Sequence, residues 1–115
     1  MKVYRLSELP ASSASHVFGG IVPGAFISMG GVSFHPPGDL AHSDEERHVH
    51  ASEEIFVILQ GKAVVHFDHG DQPFRAGEVM VIDPGENHHL ESDKDDPCIV
   101  VWLDTGPKAH PSQTA

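Results

Sequence analysis

The sequence predicts an all-β domain, a sandwich or a barrel, on three observations. Short runs rich in Val, Ile and Phe recur along the chain, and such residues suit a pleated, half-buried surface. Gly and Pro, 11 and 9 of the 115 residues, punctuate the chain between these runs. No segment sustains a helical period, and only residues 6–15 approach one.

Residues 25–34 form the first run, with Gly30-Gly31 at its centre suggesting a bulge or sharp bend. Residues 54–60 form the second and end at Gly61. Residues 62–67 lead into Asp68-His69-Gly70-Asp71, a hairpin turn because glycine tolerates positive φ. Residues 78–82 follow Ala76-Gly77 and stop at the turn Asp83-Pro84-Gly85. Residues 97–103 form the last run. The polar tail from Gly106, with two prolines, is expected to be mobile. The division expected is an N-terminal arm or strand over 1–24, a barrel over 25–104 and a tail over 105–115. At roughly 100–200 residues per domain, the length fits one domain.

Two runs are apolar on both faces. Ile55, Val57 and Leu59 oppose Phe56 and Ile58; Ile99, Val101 and Leu103 oppose Val100 and Trp102. A half-solvated strand alternates polar with apolar, so each run needs cover on its second face. A homodimer that buries one sheet face is the expected cover.

Lys and Arg number 7 against 17 Asp and Glu, a net charge of −10. That sign argues against nucleic acid and against an anionic membrane surface as partners. No apolar run approaches the ~18–20 residues of a membrane span, and the first eight residues carry no apolar signal segment. Cys98 is the only cysteine and sits in an apolar run, which fits a buried thiol in a reducing cytoplasm. Phe26, Phe34, Phe56, Met80, Ile82 and Trp102 are expected in the core. Asp44-Glu45-Glu46 and residues 91–96 read as solvated acidic loops.

Histidine is over-represented, at ten of 115 residues, and it is the commonest metal ligand. In His48-Val49-His50 both imidazoles project from one face of a strand. On a straight strand Glu54 would lie ~20 Å from His48. A fold-back over Ala51-Ser52-Glu53 would start a neighbouring strand at Glu54 and bring it to ligand distance. His88, past the turn at Asp83-Pro84-Gly85, could supply a fourth donor. Three imidazoles and one carboxylate make a borderline site for a divalent transition metal.

These residues resemble the two motifs of the cupins. The first, G-x5-H-x-H-x(3,4)-E-x6-G, is matched by His48-x-His50-x3-Glu54-x6-Gly61. The second, G-x5-P-x-G-x2-H-x3-N, is matched by Gly77-x5-Asp83-Pro84-Gly85-x2-His88. Three positions depart: His42 stands for the leading glycine, although Gly38 could serve that loop, Asp83 for the proline and Ser92 for the closing asparagine. None is a ligand position. The resemblance implies a small jelly-roll β-barrel, with His48, His50, Glu54 and His88 binding one divalent ion of Mn, Fe, Ni, Cu, Co or Zn.

The resemblance also implies a metal-dependent enzyme acting on a small oxygen-chelating organic substrate. Dioxygenase-type oxidation ranks first, then lyase or isomerase chemistry on keto or sugar acids. A non-catalytic small-molecule-binding module is the alternative. Glu54 is the candidate catalytic group, as anionic ligand or base. Phe56, Met80, Trp102 and His35 are candidate pocket residues. His89 would face outward, and His66 and His69 border a hairpin at the surface.

Overall fold

A computed structural model describes residues 1–8, 27–41, 49 and 51–105. The expectations for Phe26, His42, His48, His50, the acidic run Asp44-Glu45-Glu46 and residues 106–115 lie outside the described residues. Eight described strands follow the turn signals: β1 (Lys2–Arg5), β2 (Ile27–Phe34), β3 (Glu54–Gln60), β4 (Lys62–Phe67), β5 (Gly70–Arg75), β6 (Glu78–Ile82), β7 (His88–Ser92) and β8 (Ile99–Thr105). A 3₁₀ turn over Leu6–Glu8 takes the start of the weakly helical stretch. No described helix is long and apolar enough to cross a membrane.

The strands form two antiparallel sheets. One has five strands in the order β1-β6-β3-β8-β2; the other has three, β5-β4-β7. This is the jelly-roll arrangement expected. The inner faces bury Phe56, Ile58, Val65, Phe74, Met80, Leu90 and Val100 among others between the sheets. The chain changes sheets at Gly61, where φ is 82° and a Cβ would lie 2.1 Å from the Pro97 carbonyl oxygen. Only glycine fits there. Lys62 N–H donates to the Asp96 carbonyl at 3.0 Å and Ala76 N–H to the Gly61 carbonyl at 3.2 Å, closing that end of the barrel.

Several sequence expectations change in detail. Gly30 and Gly31 pair regularly with Leu103 and Trp102; the irregularity in β2 falls between Ile27 and Met29. The glycines serve packing, since a Cβ on Gly31 would lie 3.0 Å from the Trp102 ring and one on Gly30 would lie 2.7 Å from Leu103 Cδ2. The Trp102 indole N–H then donates to Ser33 Oγ at 3.1 Å. β5 was not signalled, because it contains Pro73 and buries only Phe74; as an edge strand it tolerates a residue with no N–H. β7 takes Glu91 and Ser92 out of the expected acidic loop, which shrinks to residues 93–96. Phe34, expected in the core, is 59% exposed because its edge-strand side chain shares the outer face with Val32. Cys98 is buried just before β8, and burial pushes its thiol pKa up. Such a thiol is a poor nucleophile.

On the outside of the three-stranded sheet, His66 on β4 bridges its neighbours. Nδ1 lies 2.7 Å from Asp71 on β5, and Nε2 lies 2.9 Å from Glu91 on β7. His89 pairs with His66 in register and faces outward as expected. The hydrogen bonds to Asp71 and then Glu91 raise the His66 pKa above its ordinary value. A raised folded-state pKa stabilises the protein fully below the unfolded histidine pKa of ~6.5; the gain is lost as pH rises through the folded value. His66→Gln is therefore expected to lower the urea midpoint at about pH 5.5 and leave it nearly unchanged at about pH 9. An equal loss at both pH values would contradict this linkage.

Candidate functional site

Strand alternation arranges the inner face of the five-stranded sheet in layers. At the end remote from Gly61, Glu54 on β3 lies between Ile82 on β6 and Asp104 on β8. One layer deeper, Phe56 lies between Met80 and Trp102, and below it Ile58 faces Val100. Glu54 opens β3 directly after residues 51–53, so it begins a new strand there. That stretch is tied to the end of β8. Ser52 Oγ donates to the Thr105 carbonyl at 2.7 Å, and Thr105 N–H and Oγ1–H both donate to the Glu53 carbonyl, at 3.1 and 2.9 Å.

His88 arrives from the other sheet. It opens β7, opposite Phe67 on β4, after the turn at Asp83-Pro84-Gly85-Glu86. Gly85 has a φ of 79°. Within the turn, Glu86 N–H donates to the Asp83 carbonyl at 3.2 Å and Asp83 N–H to Glu86 Oε1 at 2.9 Å. The Met1 ammonium braces it from outside, 2.6 Å from Asp83 and 2.8 Å from Glu86.

The two groups meet between the sheets. His88 Nε2 lies 2.8 Å from Glu54 Oε1, and both residues are buried. His88 Nδ1 lies 2.9 Å from the Glu86 carbonyl oxygen, which can only accept, so Nδ1 carries a proton. Nε2 then points at a carboxylate oxygen, which can only accept unless it is protonated. A proton held between them satisfies both. So does a divalent cation, which uses the same two lone pairs as ligands. Atoms 2.8 Å apart can both bind one ion at ~2.0–2.2 Å. The donor chemistry of this pair therefore fits a transition metal. Phe56 packs its ring edge-on to the imidazole, with centroids 5.9 Å apart, and helps fix the ring's orientation.

Of the sequence-derived set, the structure brings together Glu54 and His88, with Phe56 against them and Met80 and Trp102 in the same deeper layer. His48 and His50 lie outside the described residues. Among the described residues, no group of three His, Cys, Asp or Glu side chains is set to hold a metal ion. His35 is not brought to the pair. It follows Phe34, which pairs with Ile99, and Ile99 lies about 16 Å along β8 from Asp104. Its backbone serves the closed end: His35 N–H donates to the Cys98 carbonyl at 3.0 Å, and its carbonyl accepts from Ser92 Oγ at 2.9 Å. Ser92 Oγ also accepts from Cys98 N–H at 3.0 Å, so a hydroxyl at the motif's departed asparagine position ties β2, β7 and β8 together. His69 stacks on Phe67 with centroids 4.9 Å apart. Asp104 was missed because the last apolar run was ended at Leu103. Its parity with Val100 and Trp102 was the available signal.

Comparisons with known proteins agree with this architecture. The family model for the cupin domain matches residues 36–104. An oxalate-binding protein of Thermotoga maritima is 41% identical over 58 residues, a match covering 50% of this chain and 45% of that protein. The chain thus matches less than half the length of this curated relative. Among solved structures, a cupin protein from Bacteroides fragilis superposes with a TM-score of 0.60 at 21% identity, covering 73% of this chain and 70% of the other. A Thermotoga maritima protein described as a predicted oxalate decarboxylase superposes with a TM-score of 0.54 at 30% identity, covering 68% and 66%.

Proposed function

The chain belongs to the cupin domain family, and from that premise we propose that it is a metal-dependent cupin acting on a small organic acid that chelates through two neighbouring oxygens. In this reading the barrel spans residues 25–104, and His48, His50, Glu54 and His88 hold one divalent transition metal. The observation that carries it is the buried Glu54–His88 contact, where the Glu86 carbonyl holds Nδ1 from behind and Nε2 faces a carboxylate oxygen at 2.8 Å. When bound, the ion supplies Lewis acidity that polarises substrate oxygens. Phe56, Met80 and Trp102 supply an apolar wall that excludes water and strengthens electrostatic interactions. Glu54 holds or releases a proton beside the substrate.

Oxalate, named in both Thermotoga maritima matches, is a two-oxygen chelator, which supports this substrate class. One of these names also supports lyase-type loss of a carboxyl group. Neither favours the dioxygenase-type oxidation ranked first from the sequence. Binding without turnover is a second reading, supported by the name oxalate-binding protein of the curated match. A reducing cytoplasm is the proposed setting, supported by the free, buried Cys98.

Elemental analysis of purified protein is expected to find one transition metal per chain, and His50→Ala is expected to remove most of it while the barrel stays folded. A full metal complement in that variant overturns the ligand assignment. With loaded protein, a screen over oxalate, keto acids and enediols is expected to show turnover, and Glu54→Gln is expected to lower it by ~10²-fold or more. Oxygen uptake stoichiometric with substrate loss identifies oxidation, whereas unchanged anaerobic turnover identifies a lyase. Binding with no turnover across the screen selects the binding module.

We also propose a two-fold dimer through the outer face of the five-stranded sheet. Val32, Phe34 and Leu59 are 66%, 59% and 58% exposed there, beside half-buried Val57, Ile99 and Val101. Burial of at least ~1,000 Å² in total is the scale of a specific interface. Light scattering at low micromolar concentration is expected to give twice the 12.4 kDa chain mass. A monomer rejects the dimer.

A further inference from the structure

We propose that Asp68 and His69, at the tip of the β4–β5 hairpin, are positioning residues that fix the His88 imidazole against Glu54 and thereby tune the affinity of the metal centre; this rests on the metal reading above. Phe67 pairs with Gly70, so Asp68 and His69 make up the whole of a tight turn, and Gly70 follows it at a φ of 137°. On its other side β4 pairs with β7, with His66 opposite His89 and Phe67 opposite His88. Continued past its last pair, that antiparallel register sets Asp68 against Asn87 and His69 against Glu86. Both positions are bonded through side chains. Asn87 Nδ2–H donates to Asp68 Oδ1 at 3.1 Å, and His69 Nε2–H donates to Glu86 Oε2 at 3.2 Å. Side chains therefore carry the β4–β7 register beyond the end of its strands.

These bonds act on one peptide unit. The Glu86 carbonyl accepts from His88 Nδ1–H at 2.9 Å and so sets the rotation of the ring, leaving Nε2 2.8 Å from Glu54 Oε1. That carbonyl belongs to the Glu86–Asn87 peptide, and the side chains on both sides of this peptide are anchored on the hairpin turn. Tilting the peptide to move the carbonyl would strain both anchors together. The turn is a firm base. His69 stacks on Phe67 with centroids 4.9 Å apart and planes 10° from parallel, and Phe67 is buried opposite His88. The other Glu86 oxygen, Oε1, accepts from Asp83 N–H at 2.9 Å, which joins the hairpin to the turn between β6 and β7. A single exposed contact of this kind contributes little to global stability. Two at successive register positions restrict one buried ring, as groups behind a metal ligand do when they orient it.

The test compares wild type with the pair Asp68→Ala/His69→Ala and the conservative pair Asp68→Asn/His69→Gln. Both positions are exposed, so the fold is expected to persist; should the alanine pair fail to fold, Asp68→Ala alone is read in the same way. The first readout is hydrogen exchange of the His88 Nδ1 proton, followed by NMR on metal-free protein. The alanine pair is expected to speed that exchange about tenfold or more, while the core amides of Val65 and Val100 keep their wild-type rates. The conservative pair keeps an acceptor and a donor and is expected to restore most of the protection. His88 exchange within about twofold of wild type overturns the proposal, as does equal acceleration of the core amides, or a conservative pair no better than the alanine pair. The second readout is Mn²⁺ affinity. The alanine pair is expected to bind about 3- to 10-fold more weakly, less than the roughly 10- to 100-fold seen for groups bonded directly to a ligand. Faster His88 exchange with wild-type Mn²⁺ affinity overturns the tuning of the ion. Wild type that binds no Mn²⁺, or Glu54→Gln that binds as well as wild type, overturns the metal reading itself, and the His88 exchange rates then decide the positioning role independently.

Discussion

Gly61 is the constraint from which the rest of the barrel follows. It carries the chain from the five-stranded sheet into the three-stranded one with a φ of 82°, in space where a Cβ would meet the Pro97 carbonyl at 2.1 Å. Around it, Lys62 bonds to Asp96 and Ala76 to Gly61 itself, so three passes of the chain converge on one residue. Ser92, His35 and Cys98 complete the closure through the Ser92 hydroxyl. With one end sealed this way, the sheets lie face to face at roughly 10 Å, the spacing that interdigitating side chains set. The strands then run together toward the opposite end, where Glu54 and His88 face each other.

That polarity separates the apolar core from the buried ionisable groups. The layers next to Gly61 and through the middle are apolar: Ile58 with Val100, then Phe56 with Met80 and Trp102. Only the outermost layer places Glu54, Asp104 and His88 out of water. Buried ionisable groups cost free energy unless each finds a partner. The structure supplies one through the 2.8 Å Glu54–His88 contact, with the imidazole held from behind by the Glu86 carbonyl. The turn bearing that carbonyl is braced by Asp83, Glu86 and the Met1 ammonium. The apolar floor beneath keeps the dielectric low where the charged groups sit.

Much of this was legible from residue order. The runs at 54–60, 62–67 and 78–82 coincide with β3, β4 and β6, because apolar alternation and glycine-bounded turns act over short range. β5 and β7 were not. Gly70–Arg75 holds a proline and one core residue, and His88–Ser92 offers only Leu90 as an apolar anchor. Their strand character comes from neighbours that complete their hydrogen bonds, which no local pattern carries. Gly30-Gly31 misled for a related reason. A glycine pair reads as a bend, yet here it clears space for Trp102 and Leu103 from a strand distant in sequence.

The sequence by itself determined the all-β class and the main turns, and it singled out Glu54 and His88, which the structure brings together, within a set that also held His48 and His50, since alternation, glycine placement and motif spacing are properties of the linear chain. Only the tertiary structure decided which groups share the end of the barrel. It set Asp104 beside Glu54 through the β3–β8 register, and it left His35 about 16 Å away along β8 at the closed end. It also turned Phe34 to solvent on an edge strand. Register and sheet order arise from contacts between residues far apart in sequence, and a one-residue slip would move each side chain to the other face. The neighbours of a buried carboxylate are therefore fixed by the packing of whole sheets.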